Sequence, residues 1–101
     1  MREQAPLTEA MFYILLILSR QEVCGTEIAA AVEEKTDGRV RLGPGTLYTI
    51  LGRFQEQGLI EETAVEGRKR TYRITGAGLA AYRAELLRLR QCIQDAEEAE
   101  T

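Results

Sequence analysis

The chain has 101 residues, the length of one compact domain, which excludes a second independent domain. With 45% apolar and 29% charged residues, the composition is typical of a globular protein and excludes a chain that is disordered throughout. The net charge of −3 argues against a nucleic-acid partner, but residues 39–73 carry seven basic and four acidic side chains, and this local positive charge permits DNA binding.

Histidine is absent, and the two cysteines, Cys24 and Cys92, lie far apart. Because histidine is the most common general base and zinc ligand, we expect no enzymatic activity, no metal site and no cofactor. The cysteines form no paired motif and predict reduced thiols. The longest uncharged apolar run, Ala10–Leu18, is too short to span a membrane, and only Arg2 precedes it, so no secretory signal is indicated. We therefore expect a cytoplasmic protein.

Two helices are predicted before residue 38. Thr8 is a suitable N-cap for a first helix that continues to Arg20, and the run Ala10–Leu18 leaves this helix without a polar face. Such a helix is covered on more than one side, either by the core of its own chain or by a second subunit, and the sequence leaves both open. Thr26 is the predicted cap of a short amphipathic second helix that reaches Lys35.

A third helix carries two chemically different faces. Asp37-Gly38 predicts a turn, Arg39–Leu42 alternates like a brief strand, and the helix is then expected from Pro44 to about Gln57. Its inward face is expected to carry Leu47, Leu51 and Phe54. Its outward face presents groups that phosphates and base edges accept, on Thr46, Thr49, Arg53 and Gln57. For this helix in isolation, an ordinary solvated face is the alternative.

Residues 59–74 predict a β-hairpin with a Glu66-Gly67 tip. Alternation along the two strands predicts that the side chains covering the core are Ile60, Ala64, Tyr72 and Ile74. Beside the tip lies a basic trio, Arg68, Lys69 and Arg70. The trio is placed to touch a phosphate backbone, although solvated protection of an edge strand is the alternative.

The last helix has the clearest periodicity in the chain. Thr75 is its predicted cap, and it is expected to end near Ala96. Side chains spaced three and four apart form an apolar heptad seam of Leu79, Tyr82, Leu86, Leu89 and Ile93. Because this seam is longer than so small a domain can cover, we expect a homodimer. The acidic end of the chain is expected to fray.

The order helix, helix, turn, helix, hairpin, long helix is that of a winged helix-turn-helix, a mainly α fold with a small β-hairpin wing. We assign residues 1–74 to a DNA-binding domain, 75–97 to a dimerisation helix and 98–101 to a frayed acidic tail. The polar face of the third helix and the basic trio would then share one surface, which favours binding to double-stranded DNA. The alternative is a winged-helix protein-interaction module that does not bind DNA.

The sequence resembles the short subclass of the PadR family of transcriptional regulators, from Leu7 to about Leu89. The most specific stretches are Leu42–Tyr48 with Leu51 and Arg53, Gly58–Ile60, and Arg68–Thr75 followed by Gly78. The resemblance implies a homodimer that binds a pseudo-palindromic operator, usually as a repressor. It also implies that the protein often dissociates from its operator when a small molecule or another signal arrives.

The resemblance also assigns roles to particular residues. It implies that Tyr48 directs its hydroxyl at a phosphate, and that the last helix pairs with the first and last helices of a partner, where Phe12 joins the seam. Together with the pattern, it gives a predicted DNA-binding set of Arg41, Thr46, Tyr48, Thr49, Arg53, Arg68, Lys69 and Arg70.

Some features depart from the family pattern or stay open. Thr26 and Thr49 stand where the family often has an aromatic residue and a proline, and the chain has no tryptophan to hold a flat aromatic ligand. Met11, Phe12 and Tyr82 line either an interface cavity for an effector or a simple core. Cys92, beside the seam, is either a redox sensor or an inert buried thiol.

Overall fold

Four helices and three strands form the described part of the chain, residues 6–101 of a computed structural model. In chain order they are α1 (Glu9–Leu18), β1 (Val23–Cys24), α2 (Gly25–Lys35), α3 (Pro44–Glu56), β2 (Ile60–Glu66), β3 (Lys69–Ile74) and α4 (Gly76–Ala99). The predicted mainly α fold with a small sheet and a long last helix is confirmed. Residues 1–5, which the predicted domain 1–74 includes, lie outside the described residues. Within residues 6–101, no helix has the length and apolar character needed to cross a membrane.

Helix α1 packs one set of apolar side chains into the core, and a second set is only half-buried. The Thr8 hydroxyl caps it by accepting a hydrogen bond from the Met11 N–H at 3.2 Å, as predicted. The helix ends at Leu18, two residues earlier than expected, and Ser19 donates to the Leu16 carbonyl. Four of its apolar side chains are buried, namely Ile14, Leu15, Ile17 and Leu18. Four others are only half-buried, namely Met11, Phe12, Tyr13 and Leu16.

The start of α2 differs from the prediction. The helix begins at Gly25 with Cys24 as N-cap, so Thr26 lies inside its first turn and is not the cap. The cause is β1, which the sequence did not predict: Val23 and Cys24 pair with β3 and lead straight into the helix. The Cys24 thiol donates to the Glu27 carboxylate at 2.9 Å in that first turn.

The segment from Arg39 to Leu42 is a loop, so the predicted brief strand is wrong. Thr36 is buried at the end of α2, where its hydroxyl donates to the Val32 carbonyl at 2.8 Å and accepts the Val40 N–H at 3.0 Å. These bonds wrap the loop around the Thr36 side chain and bury Val40 in the core. The alternation of charged and apolar residues in this segment therefore reflects the burial of Val40 in a loop held by Thr36, and not a β-strand.

The hairpin contains a β-bulge that changes which side chains face inward. The sheet is antiparallel with the order β1-β3-β2. Glu62 stands opposite Tyr72, but Ala64 stands opposite Thr71, so Thr63 is an extra residue in β2. Ala64 is consequently exposed, and its predicted place over the core is wrong.

Helix α4 is joined tightly to the sheet. The Thr75 hydroxyl accepts the Gly78 N–H at 3.1 Å, as a cap, and donates to the Gly58 carbonyl at 2.6 Å. Gly78 lies so close to the residue before β2 that a Cβ there would stand 1.9 Å from the Leu59 carbonyl oxygen. The helix continues to Ala99, past the expected end near Ala96. The helix thus includes residues 98 and 99 of the predicted tail 98–101, and the fraying of this tail stays a prediction.

Candidate nucleic-acid interface

The two faces of α3 are arranged as predicted. Leu47, Leu51 and Phe54 are buried, and Ile50 joins them in the core. Burial of these four side chains turns the opposite face outward, where every predicted polar residue is exposed, namely Thr46, Thr49, Arg53 and Gln57. The helix begins at Pro44 after Gly43, which has no side chain to cap the first turn. The exposed face thus starts with open backbone N–H donors and continues with hydroxyl and guanidinium groups.

Tyr48 lies at the junction of α3 and α2. Its side chain is 42% exposed. Its ring covers the backbone at the start of α2, because a Cβ added to Gly25 would stand 2.6 Å from the Tyr48 hydroxyl oxygen. A glycine at position 25 is therefore what allows this approach. Tyr48 is therefore an exposed residue and not a buried member of the core.

The basic trio lies at the tip of the hairpin, as predicted. Arg68 is in the turn after Gly67, and Lys69 and Arg70 begin β3; all three are exposed. Arg70 donates from NH1 to the Glu62 carboxylate at 2.8 Å, and this hydrogen bond raises the pKa of Arg70. Within the described residues, neither Arg68 nor Lys69 forms an ion pair.

A cleft lies between the tip of the hairpin, the start of α2 and Tyr48 of α3. Its cavity of about 290 Å³ is lined by Cys24, Gly25, Thr26, Tyr48, Arg68, Lys69 and Arg70. The structure thus brings Tyr48 and the basic trio together from separate parts of the chain. The sequence interpretation missed the contribution of the α2 start. Strand β1 places the start of α2 beside β3 and could have indicated this contribution. However, a strand of two residues is too short to show a periodic pattern in the sequence.

Arg41, also in the predicted DNA-binding set, does not line this cleft. It is exposed in the loop before α3. Its guanidinium lies beside Gly38, with NH2 3.5 Å from the position that a Cβ would occupy there. Gly38 also lines a separate open cavity at the end of α2, together with Glu33, Glu34 and Asp37. The role predicted for Arg41 stays a prediction, as do the roles of the other members of the set.

The predicted seam of α4 is only partly covered in the single chain. Phe12 stacks on Tyr82 with ring centroids 5.4 Å apart. The predicted interface residues are half-buried, namely Phe12, Leu79, Tyr82, Leu86 and Leu89, except for Ile93, which is 59% exposed. The face of α4 that packs on its own chain is a neighbouring one, formed by Gly78, Ala81 and Glu85.

Glu85 is a buried carboxylate on that packed face, with 6% of its side chain exposed. Arg88 donates to both of its oxygens, at 2.9 and 2.5 Å. The Arg88 hydrogen bond, with a smaller contribution from the Leu7 backbone N–H, lowers the pKa of Glu85. One turn further, Cys92 is exposed with its sulfur 3.8 Å from Arg88 NH1, so it is not a buried thiol in the single chain.

Comparison with known proteins identifies the family. The profile of the transcriptional regulator PadR-like family matches residues 14–84. Over 70 residues, or 69% of the chain, the sequence is 39% identical to the transcriptional regulator YqjI of Escherichia coli K12. The chain covers 34% of YqjI and so spans about a third of the length of that relative.

Solved structures agree with this result. A transcriptional regulator from Clostridium thermocellum superposes with a TM-score of 0.77 at 27% identity, covering 87% of this chain and 89% of the other. A PadR family transcription regulator from Clostridium difficile R20291 superposes with a TM-score of 0.79 at 21% identity, covering 93% and 100% respectively, and supports the fold. The chain belongs to the PadR-like family of transcriptional regulators.

Proposed function

We propose that this chain is a sequence-specific DNA-binding regulator that acts in the cytoplasm as a homodimeric repressor and has no enzymatic activity. The observation that carries the proposal is the cleft in which Tyr48 and the basic trio meet beside the exposed polar face of α3. In a winged helix-turn-helix, a helix in this position enters the major groove while the wing touches the adjacent backbone.

The two parts of the surface suit the two kinds of DNA contact. Helix α3 has 13 residues and a length of about 20 Å, and it offers Thr46, Thr49 and Arg53 to base edges. The basic trio and the Tyr48 hydroxyl suit phosphates, which accept hydrogen bonds and attract positive charge whatever the sequence. The net charge of −3 does not oppose this arrangement, because charges beyond a Debye length of about 8–10 Å are largely screened.

The apolar seam supports a second copy of the chain as the partner. Leu86 and Leu89 are half-buried and Ile93 is exposed on a helix that extends well past the core of its own chain. A two-fold dimer formed along such a seam presents two copies of α3 to two half-sites, which suits a pseudo-palindromic operator. Release by a small molecule or another signal is supported by membership of the family.

A protein-interaction module without DNA binding is the second candidate, favoured by the acidic net charge and the open seam. Fluorescence anisotropy distinguishes the two. The purified protein is titrated into a labelled duplex from the upstream region of its own gene and into an unrelated duplex, over a series of salt concentrations. The proposal expects binding to the upstream duplex tighter by about 10³-fold or more, with a steep salt dependence. Failure to bind either duplex at low salt would favour the interaction module.

A further inference from the structure

Half of the basic side chains on the hairpin are neutralised by carboxylates of the opposite strand. Arg70 is bound to Glu62, and Arg73 is bound to Glu61. Within the described residues, Arg68 and Lys69 at the tip have no such partner. The pairs therefore leave Arg68 and Lys69 as the basic side chains of the hairpin without an ion-pair partner, although Glu66 stands opposite Lys69.

We propose that Glu62 determines specificity: its carboxylate holds Arg70 in a fixed position and weakens the attraction of the hairpin for DNA of any sequence. This inference rests on the proposed function. It assigns to an acidic residue, which contacts no base, a part in discriminating the operator from other DNA.

The strand register places this pair on the side of the hairpin that carries the cleft. Glu62 stands opposite Tyr72, and Arg70 precedes Tyr72 by two residues, so the three side chains share one face of the sheet. Arg70 lines the cleft with Tyr48 and the start of α2. Glu62 is the more protected partner, with 23% of its side chain exposed against 53% for Arg70. The carboxylate is thus fixed close to the place where a phosphate would meet Arg70.

A phosphate that enters the cleft meets two opposing effects of Glu62. The carboxylate occupies one N–H group of Arg70 and offsets its positive charge, which weakens binding to all duplexes. It also holds the guanidinium in one orientation, which reduces the ordering cost when α3 fixes the protein on its operator. Loosely held, non-specific complexes gain nothing from that orientation, because their binding depends on charge alone. Glu62 therefore opposes non-specific binding more than operator binding.

Glu61 provides a matched control. It is adjacent in the chain and stands opposite its partner Arg73, which places this pair on the other face of the sheet. Neither Glu61 nor Arg73 lines the cleft. Glu61→Gln thus removes the same charge from the same strand and breaks the same kind of ion pair, without freeing an arginine beside Tyr48.

The experiment measures the Kd of the wild type, Glu62→Gln and Glu61→Gln for a random-sequence duplex and for the upstream duplex at about 0.15 M salt. We expect Glu62→Gln to tighten random-duplex binding by about three- to tenfold and to change upstream-duplex binding by less than about twofold. Glu61→Gln is expected to change either Kd by less than about twofold, because its charge is further from the cleft. Thermal unfolding followed by circular dichroism establishes that both variants are folded.

A second pair of variants tests whether Glu62 acts through Arg70. In an Arg70→Met background, Glu62→Gln is expected to leave the random-duplex Kd unchanged within about twofold. Equal tightening by Glu62→Gln and Glu61→Gln, or tightening that persists without Arg70, would overturn the inference. If the wild type binds DNA and Glu62→Gln does not differ from it, only the role of Glu62 fails. If the wild type binds no DNA at low salt, the proposed function fails as well.

Discussion

The close approach of α4 to Leu59, the residue before β2, predicts that Gly78→Ala destabilises the protein. An added Cβ would lie 1.9 Å from the Leu59 carbonyl oxygen and 2.8 Å from Cγ1 of Ile74, so the backbone must separate by about 1.5 Å to reach an ordinary contact. That carbonyl also accepts the Thr75 N–H at 3.0 Å, and Thr75 binds the Gly58 carbonyl beside it. Separation would therefore strain two hydrogen bonds together with the packing of α4.

The magnitude follows from these contacts. Two hydrogen bonds contribute about 1 kcal/mol each, and overpacking costs about 1–3 kcal/mol more. Alanine recovers up to about 1 kcal/mol through its higher helix propensity. The net loss in free energy of unfolding is therefore about 2–4 kcal/mol, which for a domain of this size lowers Tm by roughly 10–25 °C.

Gly76→Ala is the control, because nothing lies within 4 Å of a Cβ at that position in the same helical turn. We expect it to leave Tm unchanged or to raise it slightly. Both variants and the wild type are unfolded in urea and by heat at one fixed protein concentration, since the proposed dimerisation would make stability concentration-dependent. A Gly78→Ala protein as stable as Gly76→Ala would show that α4 does not pack against Leu59 in this way.

Three further results are expected. Replacing all three residues of the basic trio by alanine should weaken binding to every duplex and reduce the slope of log K against log salt by up to about three units; an unchanged slope would remove the hairpin tip from DNA binding. Replacing Leu86 and Leu89 by glutamate should give a monomer or an unfolded chain in sedimentation experiments, because charges would be buried along the seam, and a folded dimer would refute that interface. The pKa of Glu85 is depressed below its ordinary value of 4.5, so its stabilising contribution is complete above about pH 4.5 and is lost as the pH falls through the folded-state pKa. Glu85→Gln should therefore be less stable than the wild type at pH 7, with the difference in urea midpoint shrinking towards pH 3, and a constant difference would contradict this.

Long periodic segments of the sequence were sufficient to predict the helices. Residues 44–57 and 75–97 repeat apolar side chains over several turns, and the exposed and buried faces of α3 follow directly from that repeat. Short elements were not predictable in this way. Strand β1 has two residues, so its existence depends on pairing with β3, which lies almost 50 positions later in the chain.

The candidate site also combines features that the sequence pattern predicts with features that depend on tertiary packing. Exposure of Thr46, Thr49 and Arg53 follows from helical spacing, and the position of the basic trio follows from the hairpin turn. The contact between Tyr48 and Gly25 depends on how α2 and α3 pack, and no local pattern encodes that distance. The displacement of Ala64 depends on the bulge at Thr63, which is a choice between registers that differ in their pairing with β3.

The short connection between β3 and α4 fixes an angle as well as a position. Thr75 alone separates the two elements and is hydrogen-bonded on both sides, so α4 leaves the hairpin without a hinge. Each residue of an α-helix turns the chain by about 100°. The rotational phase between the hairpin tip and the seam is therefore set by the number of residues that separate them. Deleting one residue between Thr75 and Leu86 would swing the distal seam through about a quarter of a turn relative to the hairpin while leaving the composition of both surfaces unchanged.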